Sequence, residues 1–466
     1  MRLVAISNRV PLPTAISGAG GLAVGLRDAL AEFGGIWFGW SGSRTTERES
    51  SPSVVQEDNI SFATLPLTDQ DFERYYAGYA NSVLWPLFHE RLHAMEYHEA
   101  FRIAYEDVNA YFGQAAATLL QPDDVVWIHD YHLIPLGREL RDRGAAGRIG
   151  FFLHTPFPPS DVFRALPERK GLLRSFFAYD LVGFQTPWDV RHFAESLARE
   201  LGAKVELSAE AANAAGTATL DGRTIRFSAF PIGIDVTGTA QAALTNRGNQ
   251  TGQRLTRALR GRKLIIGADR LDYTKGLVER FQAFELFLDK HRDEMDDAMI
   301  YIQITAPSRQ NVPEYQEINR QLEAEAGRIN GRNNTVYWTP LRLIERDVSR
   351  EVLLGYFSLA HVGLVTPLRD GMNLVAKEFV ASQTGENPGV LVLSSLAGAA
   401  EELADCAVVV NPYSPDQVAD GIYRALNMPL AERRERWERG MESLTGNTAT
   451  TWRQAFLSAL IGAEPA

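Results

Sequence analysis

Asp370 and Glu378 are the residues of this chain best placed to act together on a polyhydroxylated ligand. They sit in Arg369-Asp370-Gly371-Met372-Asn373-Leu374-Val375-Ala376-Lys377-Glu378. The apolar run Val362-Gly363-Leu364-Val365 before them reads as a buried parallel strand. Thr366-Pro367 takes the chain out of the sheet, because proline lacks an N–H and restricts its predecessor. Asp370-Gly371 reads as a tight turn and 373–381 as a helix, with Glu378 about two turns in. At such a corner the amides of Gly371, Met372 and Asn373 can face an anion or sugar hydroxyls. A carboxylate deeper in the helix can accept the two vicinal hydroxyls of a ribose. The same pattern also fits a surface turn followed by an ordinary helical glutamate.

Cations recur at comparable corners. Arg9 follows the strand 3–6, and Gly20 and Gly21 open the helix after it, a glycine loop able to cradle a phosphate. Arg270 and Lys275 flank a helix start after the strand 264–268, an arrangement suited to a diphosphate. Arg309 stands at the tip of the strand 299–304. Two further strand ends carry polar clusters, His129-Asp130-Tyr131-His132 and His154-Thr155-Pro156. Tyr76 and Trp85 lie in an aromatic stretch that reads first as core, although such faces also stack on pyranose rings. There is no HExxH, no CxxC and no Asp-x-Asp near a strand end, so the expectation is a metal-independent site without cofactor, where Arg and Lys do what Mg²⁺ does elsewhere. No GxSxG suggests acyl transfer.

Strands alternating with helices in both halves, with polar tips at successive strands, predict α/β architecture in two doubly wound parallel-sheet domains. Their boundary is expected at residue 236 or 237, giving domains 1–236 and 237–446, with a C-terminal helix over about 447–466 able to pack back on the first. Expected strands include 36–40, 60–65, 125–128, 150–153, 181–184, 225–230, 335–339, 390–393 and 407–410. Expected helices include 98–119, 277–291, 312–329 and 346–360. The segments 41–57 and 237–253 read as polar and irregular, and 208–216 as a loop.

At 466 residues, two domains are the natural reading. A net charge of −11 argues against nucleic acid or an anionic membrane as partner. Any phosphate ligand therefore requires the few cations to converge on one cleft. One cysteine, Cys406, precludes an intramolecular disulfide and suits a reducing compartment. With no apolar run of about 18 residues and no leader-like start, the expectation is a cytoplasmic protein. From the residues alone, the chain reads as a transferase with a nucleotide donor, its site in an interdomain cleft.

The motifs Ser-Asn-Arg (7–9), Gly-Gly-Leu-Ala-Val-Gly (20–25), Trp-Phe-Gly-Trp (37–40), Leu-Trp-Pro (84–86) and Ile-His-Asp-Tyr-His-Leu (128–133) occur in that order. His-Thr-Pro-Phe-Pro (154–158), Arg-Leu-Asp-Tyr-Thr-Lys-Gly (270–276) and the 369–378 stretch follow. Together they resemble the trehalose-6-phosphate synthase family of retaining glycosyltransferases with the GT-B fold, from Arg2 to about Leu460. The resemblance implies glucose transfer from a nucleotide-glucose, most simply UDP-glucose, to glucose 6-phosphate. It implies that Gly20, Gly21, Arg270, Lys275, Val348 and the stretch from Asp370 through Gly371, Met372, Asn373, Leu374, Val375, Ala376 and Lys377 to Glu378 bind the donor. It places Arg9, Tyr76, Trp85, Asp130 and Arg309 around the acceptor. His154, Asp130, Arg270, Lys275 and Asp370 become the catalytic set. Small-molecule substrates, a homo-oligomer and a separate trehalose-phosphate phosphatase for the product are the implied partners. The rivals are a relative using glycerol 3-phosphate or a cyclitol phosphate as acceptor, and a catalytically silent sugar-phosphate sensor.

Overall fold

A computed structural model describes residues 2–11, 21–208, 214–295, 297–307 and 313–462. Gly20 and Arg309, expected at the donor and acceptor sites, lie outside them. The chain divides into two compact units, one of Met1–Ile232 with Thr450–Ala466, the other of Gly233–Ala449.

Among the described residues, the first unit contains β1 (Leu3–Arg9), β2 (Gly35–Thr45), β3 (Ser53–Glu57), β4 (Ile60–Thr68) and β5 (Val125–His129). It continues with β6 (Ile149–Phe152), β7 (Leu181–Phe184), β8 (Lys204–Leu207), β9 (Ala215–Leu220) and β10 (Arg223–Ala229). They form one sheet in the order β3-β4-β2-β1-β5-β6-β7-β10-β9-β8. The pairings from β4 to β10 are parallel, and the edges close with antiparallel β3 and β9-β8. Every residue of β5, β6 and β7 is buried, which is why these strands read as unbroken apolar runs.

The last helix, Ala449–Ile461, completes this core. Its Trp452 ring centroid lies 5.1 Å from that of Trp127 and 5.2 Å from Phe152, and Phe456 stacks on Trp127 at 4.8 Å. Phe456 reaches the sheet because Gly150 and Gly183, on adjacent strands, offer no Cβ; one built there would fall within 3 Å of the Phe456 ring.

The second unit contains β11 (Lys263–Arg270), β12 (Met299–Ala306), β13 (Leu341–Ile344), β14 (Val362–Val365), β15 (Val390–Ser394) and β16 (Val408–Val410). These are all parallel, in the order β13-β12-β11-β14-β15-β16. The fold is α/β with two parallel-sheet domains.

Several expected elements differ. The segment 41–57 holds the end of β2 and the edge strand β3, whose Val54 and Val55 are exposed; an edge strand lacks the apolar signature of a buried one. The loop expected at 208–216 overlaps β9, part of a polar antiparallel extension. The segment 237–253 is helical, in Val236–Gly248 and Gln250–Leu259, capped by Asp235 and Asn249. No strand runs through 335–339: Val336 and Tyr337 there are strongly exposed, and the strand is β13, beyond Pro340. The helix expected from 346 begins at Arg350, where Ser349 caps it by accepting the Val352 N–H.

Candidate active site

In the second unit, β11 ends at Asp269 and Arg270, and Arg270 is exposed at its tip. A 3₁₀ turn, Tyr273–Lys275, follows, with Asp272 accepting the Thr274 N–H at 2.9 Å. Gly276 then adopts φ +63, and a Cβ there would meet the Thr366 carbonyl at 2.6 Å, so glycine alone lets the helix Leu277–Lys290 start against the neighbouring loop. Lys275 Nζ donates to Asp370 Oδ2 at 2.5 Å. Asn373 Nδ2 donates to the same oxygen at 3.0 Å.

Asn373 is itself a left-handed cap, φ +76, whose Oδ1 accepts the Ala376 N–H and opens the helix Leu374–Ala381. Asparagine tolerates that conformation better than most residues do. The loop before it is tied to the chain after β15: Asp370 N–H donates to Leu396 O, Gly398 N–H to Asp370 O and Ala399 N–H to Met372 O. Leu374 and Val375, half-buried, form the first helical turn, and Gly371 and Met372 are buried beneath it. Ala376 offers no spare amide, since Asn373 occupies it. Lys377 belongs to the stretch expected at the donor. It is fully buried, its Nζ donates to Glu402 at 2.6 Å, and burial pulls its pKa down.

Glu378 is 8% exposed, and its Oε1 accepts from Arg350 Nε at 2.7 Å. Burial raises its pKa, opposed by Arg350. Arg350 Nη2 also donates to Thr239 Oγ1, fixing the guanidinium behind the carboxylate. Val348, half-buried, lies two residues before it. One corner thus carries exposed Arg270, the Lys275–Asp370 pair, a helix N-terminus and a buried carboxylate. That set suits a charged diphosphate joined to hydroxyl-bearing rings. Gly21 opens a different helix, Gly21–Phe33 of the first unit.

In the first unit, β1 and β2 slip register between Ser7 and Arg9, a bulge at Asn8 that re-aims the strand's end. Asn8 Oδ1 accepts the Tyr75 O–H at 2.7 Å. Exposed Arg9 lies over Trp40, its guanidinium carbon 5.8 Å from the ring centre. Trp40 meets Tyr76 at 5.4 Å, Tyr76 stacks on His132 at 5.9 Å, His132 meets Tyr131 at 4.0 Å, and Tyr131 meets Trp85 at 5.7 Å. Arg9, Tyr76 and Trp85, far apart in sequence, therefore belong to one aromatic ribbon. Tyr76 is carried by a π-helix, Phe72–Leu84, whose wide turn is sealed by Asn81 Nδ2 donating to the Tyr76 carbonyl at 2.7 Å. Such segments concentrate at functional sites.

Asp130 ends β5 at φ +76, ψ 165, a region occupied almost wholly by glycine. Its N–H donates to Phe152 O and its Oδ1 accepts the His154 N–H at 3.2 Å. Gln185 Oε1 accepts the Ile232 N–H at 3.0 Å, so its Nε2 donates to His154 Nδ1 at 3.3 Å. His154 Nε2–H is then left to donate to His129 Nδ1 at 3.1 Å. Both imidazoles are neutral: burial pushes His154 down to about 3 and holds His129 well below its ordinary range, with His154 adding to the latter.

The residues that sequence reasoning missed are partners, Arg350 and Arg280, whereas His129, Gln185 and Trp40 stood at strand ends or in motifs without a role of their own. Only Arg280 left a signal, a cation on the apolar face of its helix. Among the described residues, no group of three or more His, Cys, Asp and Glu is arranged to hold a metal, and no helix is long and apolar enough to cross a membrane.

The model of glycosyltransferase family 20 matches residues 11–461. A trehalose-6-phosphate synthase of Sinorhizobium fredii is 46% identical over 463 residues, 98% of each chain, and one from Escherichia coli is 44% identical over 98% of this chain and 95% of its own. Among solved structures, an α,α-trehalose-phosphate synthase (UDP-forming) of Burkholderia xenovorans in complex with glucose 6-phosphate superposes with TM-score 0.94 at 45% identity, covering 99% of this chain and all of its own. The E. coli protein bound with UDP-2-fluoro glucose superposes with TM-score 0.92 at 43% identity over the whole of both chains.

Proposed function

This chain belongs to glycosyltransferase family 20, and we propose on that premise that it moves glucose from UDP-glucose to glucose 6-phosphate, giving α,α-trehalose 6-phosphate and UDP. The observation that carries this reading is the second unit's corner: Lys275 at 2.5 Å from Asp370, exposed Arg270 beside them, and buried Glu378 held by Arg350. Arg270 and Lys275 hold the diphosphate, and Asp370 with the amides of Gly371 to Val375 takes the glucose hydroxyls. Glu378 takes the ribose, and Val348 lies at the base.

Arg9 of the first unit and Arg309 take the acceptor phosphate, Tyr76 and Trp85 its ring, and Asp130 its hydroxyls. His154 faces the transferred sugar. With both ring nitrogens engaged and the imidazole neutral, His154 orients that sugar and leaves acid–base work to other groups. No carboxylate stands out as nucleophile, which favours retention by front-face attack through an oxocarbenium-like ion pair. The acceptor C1–OH gives its proton to the leaving diphosphate oxygen as the new C–O bond forms. Arg270 and Lys275 stabilise the charge that builds on that diphosphate, a kind of interaction worth about 3–4 kcal/mol of barrier elsewhere. The site works without metal or cofactor. The enzyme acts in the cytoplasm as a homo-oligomer, and a separate phosphatase removes the phosphate from its product.

Turnover with UDP-, GDP- and ADP-glucose against glucose 6-phosphate, glucose and glycerol 3-phosphate tests the reading. UDP-glucose with glucose 6-phosphate is expected to be fastest, with glucose at least about 100-fold poorer for want of a charge-assisted partner to Arg9. Equal use of glucose, or preference for glycerol 3-phosphate, contradicts the acceptor assignment. Absence of any nucleotide release supports the silent sensor.

A further inference from the structure

We propose that Arg280 is the positioning residue of the donor site: its guanidinium holds the Lys275 loop and the loop leading to Asp370 in one register. This rests on the donor reading above. Arg280 lies on the helix Leu277–Lys290 with a fully buried side chain, on the same face as buried Leu277, Phe281 and Phe284. A cation there is costly unless every donor is used.

Here four of its five N–H groups donate, each to a separate segment. Nη1 donates to Asp269 Oδ2 at 2.6 Å, at the end of β11, and to Gln303 Oε1 at 3.0 Å, on β12. Nε donates to Thr366 Oγ1 at 3.0 Å, where the chain leaves β14. Nη2 donates to the Lys275 carbonyl at 3.1 Å. Gln303 is fixed in turn, its Oε1 accepting the Tyr301 O–H at 2.6 Å and its Nε2 donating to Ile304 O at 3.0 Å. Leu368 N–H donates to Thr274 O at 2.8 Å, so the two loops held by Arg280 also hold each other.

Stability alone does not ask for this arrangement, since a buried ion pair can often be replaced by apolar groups at no cost. What an apolar residue cannot do is fix four strand-end and loop acceptors at set distances. Arg280 acts through the Lys275 backbone, and so through where the Lys275 ammonium meets a diphosphate. A lysine would keep the charge and lose the planar fork.

The test compares wild type, Arg280→Lys and Thr366→Val, reading UDP affinity by calorimetry, the KM of each substrate, kcat and the melting temperature. For Arg280→Lys we expect UDP affinity and kcat/KM for UDP-glucose to fall about 10- to 100-fold, since small misplacements of a positioning group cost on that order. The KM for glucose 6-phosphate should stay within about twofold, because four of its five proposed contacts, Arg9, Tyr76, Trp85 and Asp130, belong to the first unit. Thr366→Val, which removes one acceptor and leaves the charge pair, should move the same quantities in the same direction by about threefold or more; it decides the matter if Arg280→Lys does not fold. Wild-type UDP affinity in either folded variant overturns the proposal. So does a rise in both KM values together with a lowered melting temperature, which marks a merely structural role. Wild type that does not bind UDP overturns the donor reading and this proposal with it; wild type that binds UDP beside variants that bind equally well overturns this proposal alone.

Discussion

Asp130 shows most plainly how one residue can be held against its own preferences. Its backbone, φ +76 and ψ 165, lies where a Cβ is strongly disfavoured, at a cost of about 1–3 kcal/mol. The surroundings impose it: Asp130 N–H is tied to Phe152 O and its carboxylate to the His154 N–H. Glycine would relieve the strain, whereas alanine would keep the strain and lose the carboxylate. Asp130→Gly should therefore be more stable than Asp130→Ala by about 1–3 kcal/mol in denaturant melts, and both should lose turnover. Equal stabilities would mean that the backbone is not strained, and wild-type turnover in either variant would remove Asp130 from the site. Lys275 and Asp370 are a different case. Each already neutralises its partner at 2.5 Å, so a bound diphosphate must share an ammonium that Asp370 also holds, and a lone charge count understates how ordered the site is.

Individual elements present these residues, and their legibility in sequence followed their burial. The strands β5, β6, β7 and β14 were readable because both faces are covered and the apolar run is continuous. The corner from Arg369 to Glu378 was readable because proline, glycine and a helical stretch punctuate it. The edge strands β3 and β8, and β9 beside β8, were not, because solvent-facing strands lack that pattern. Nor was the π-helix Phe72–Leu84, whose wide turn is closed by bonds within the helix such as Asn81 to the Tyr76 carbonyl, which leave no mark on the apolar pattern. Arg350 was invisible, and so were the partnerships of His129 and Gln185, because only the fold brings them to Glu378 and His154. The helix Ala449–Ile461 belongs to the core of the first unit, with Trp452 buried against Trp127 and Phe152, its ring centroid 6.2 Å from His154. Trp452→Ala should cost about 3–5 kcal/mol in urea unfolding, with the loss confined to the transition of that unit. A cost under about 1 kcal/mol would mean that the helix is not part of that core.

The chain carries a net charge of −11, yet the reading asks it to bind two phosphorylated ligands. It can do so because its acidic groups are largely engaged where they would interfere: Asp269 by Arg280, Asp370 by Lys275, Glu378 by Arg350 and Glu402 by Lys377. Helix N-termini and arginines then meet the anions locally, within a Debye length of about 8 Å at physiological salt. The claim at the centre is that these groups do the work of a divalent cation. The most direct measurement is kcat for UDP-glucose and glucose 6-phosphate after exhaustive chelation and desalting, with and without added Mg²⁺. Turnover within about twofold of the untreated enzyme is the predicted result, since Arg270 and Lys275 supply the stabilisation otherwise drawn from a metal. Turnover abolished by chelation and restored by Mg²⁺ would contradict it.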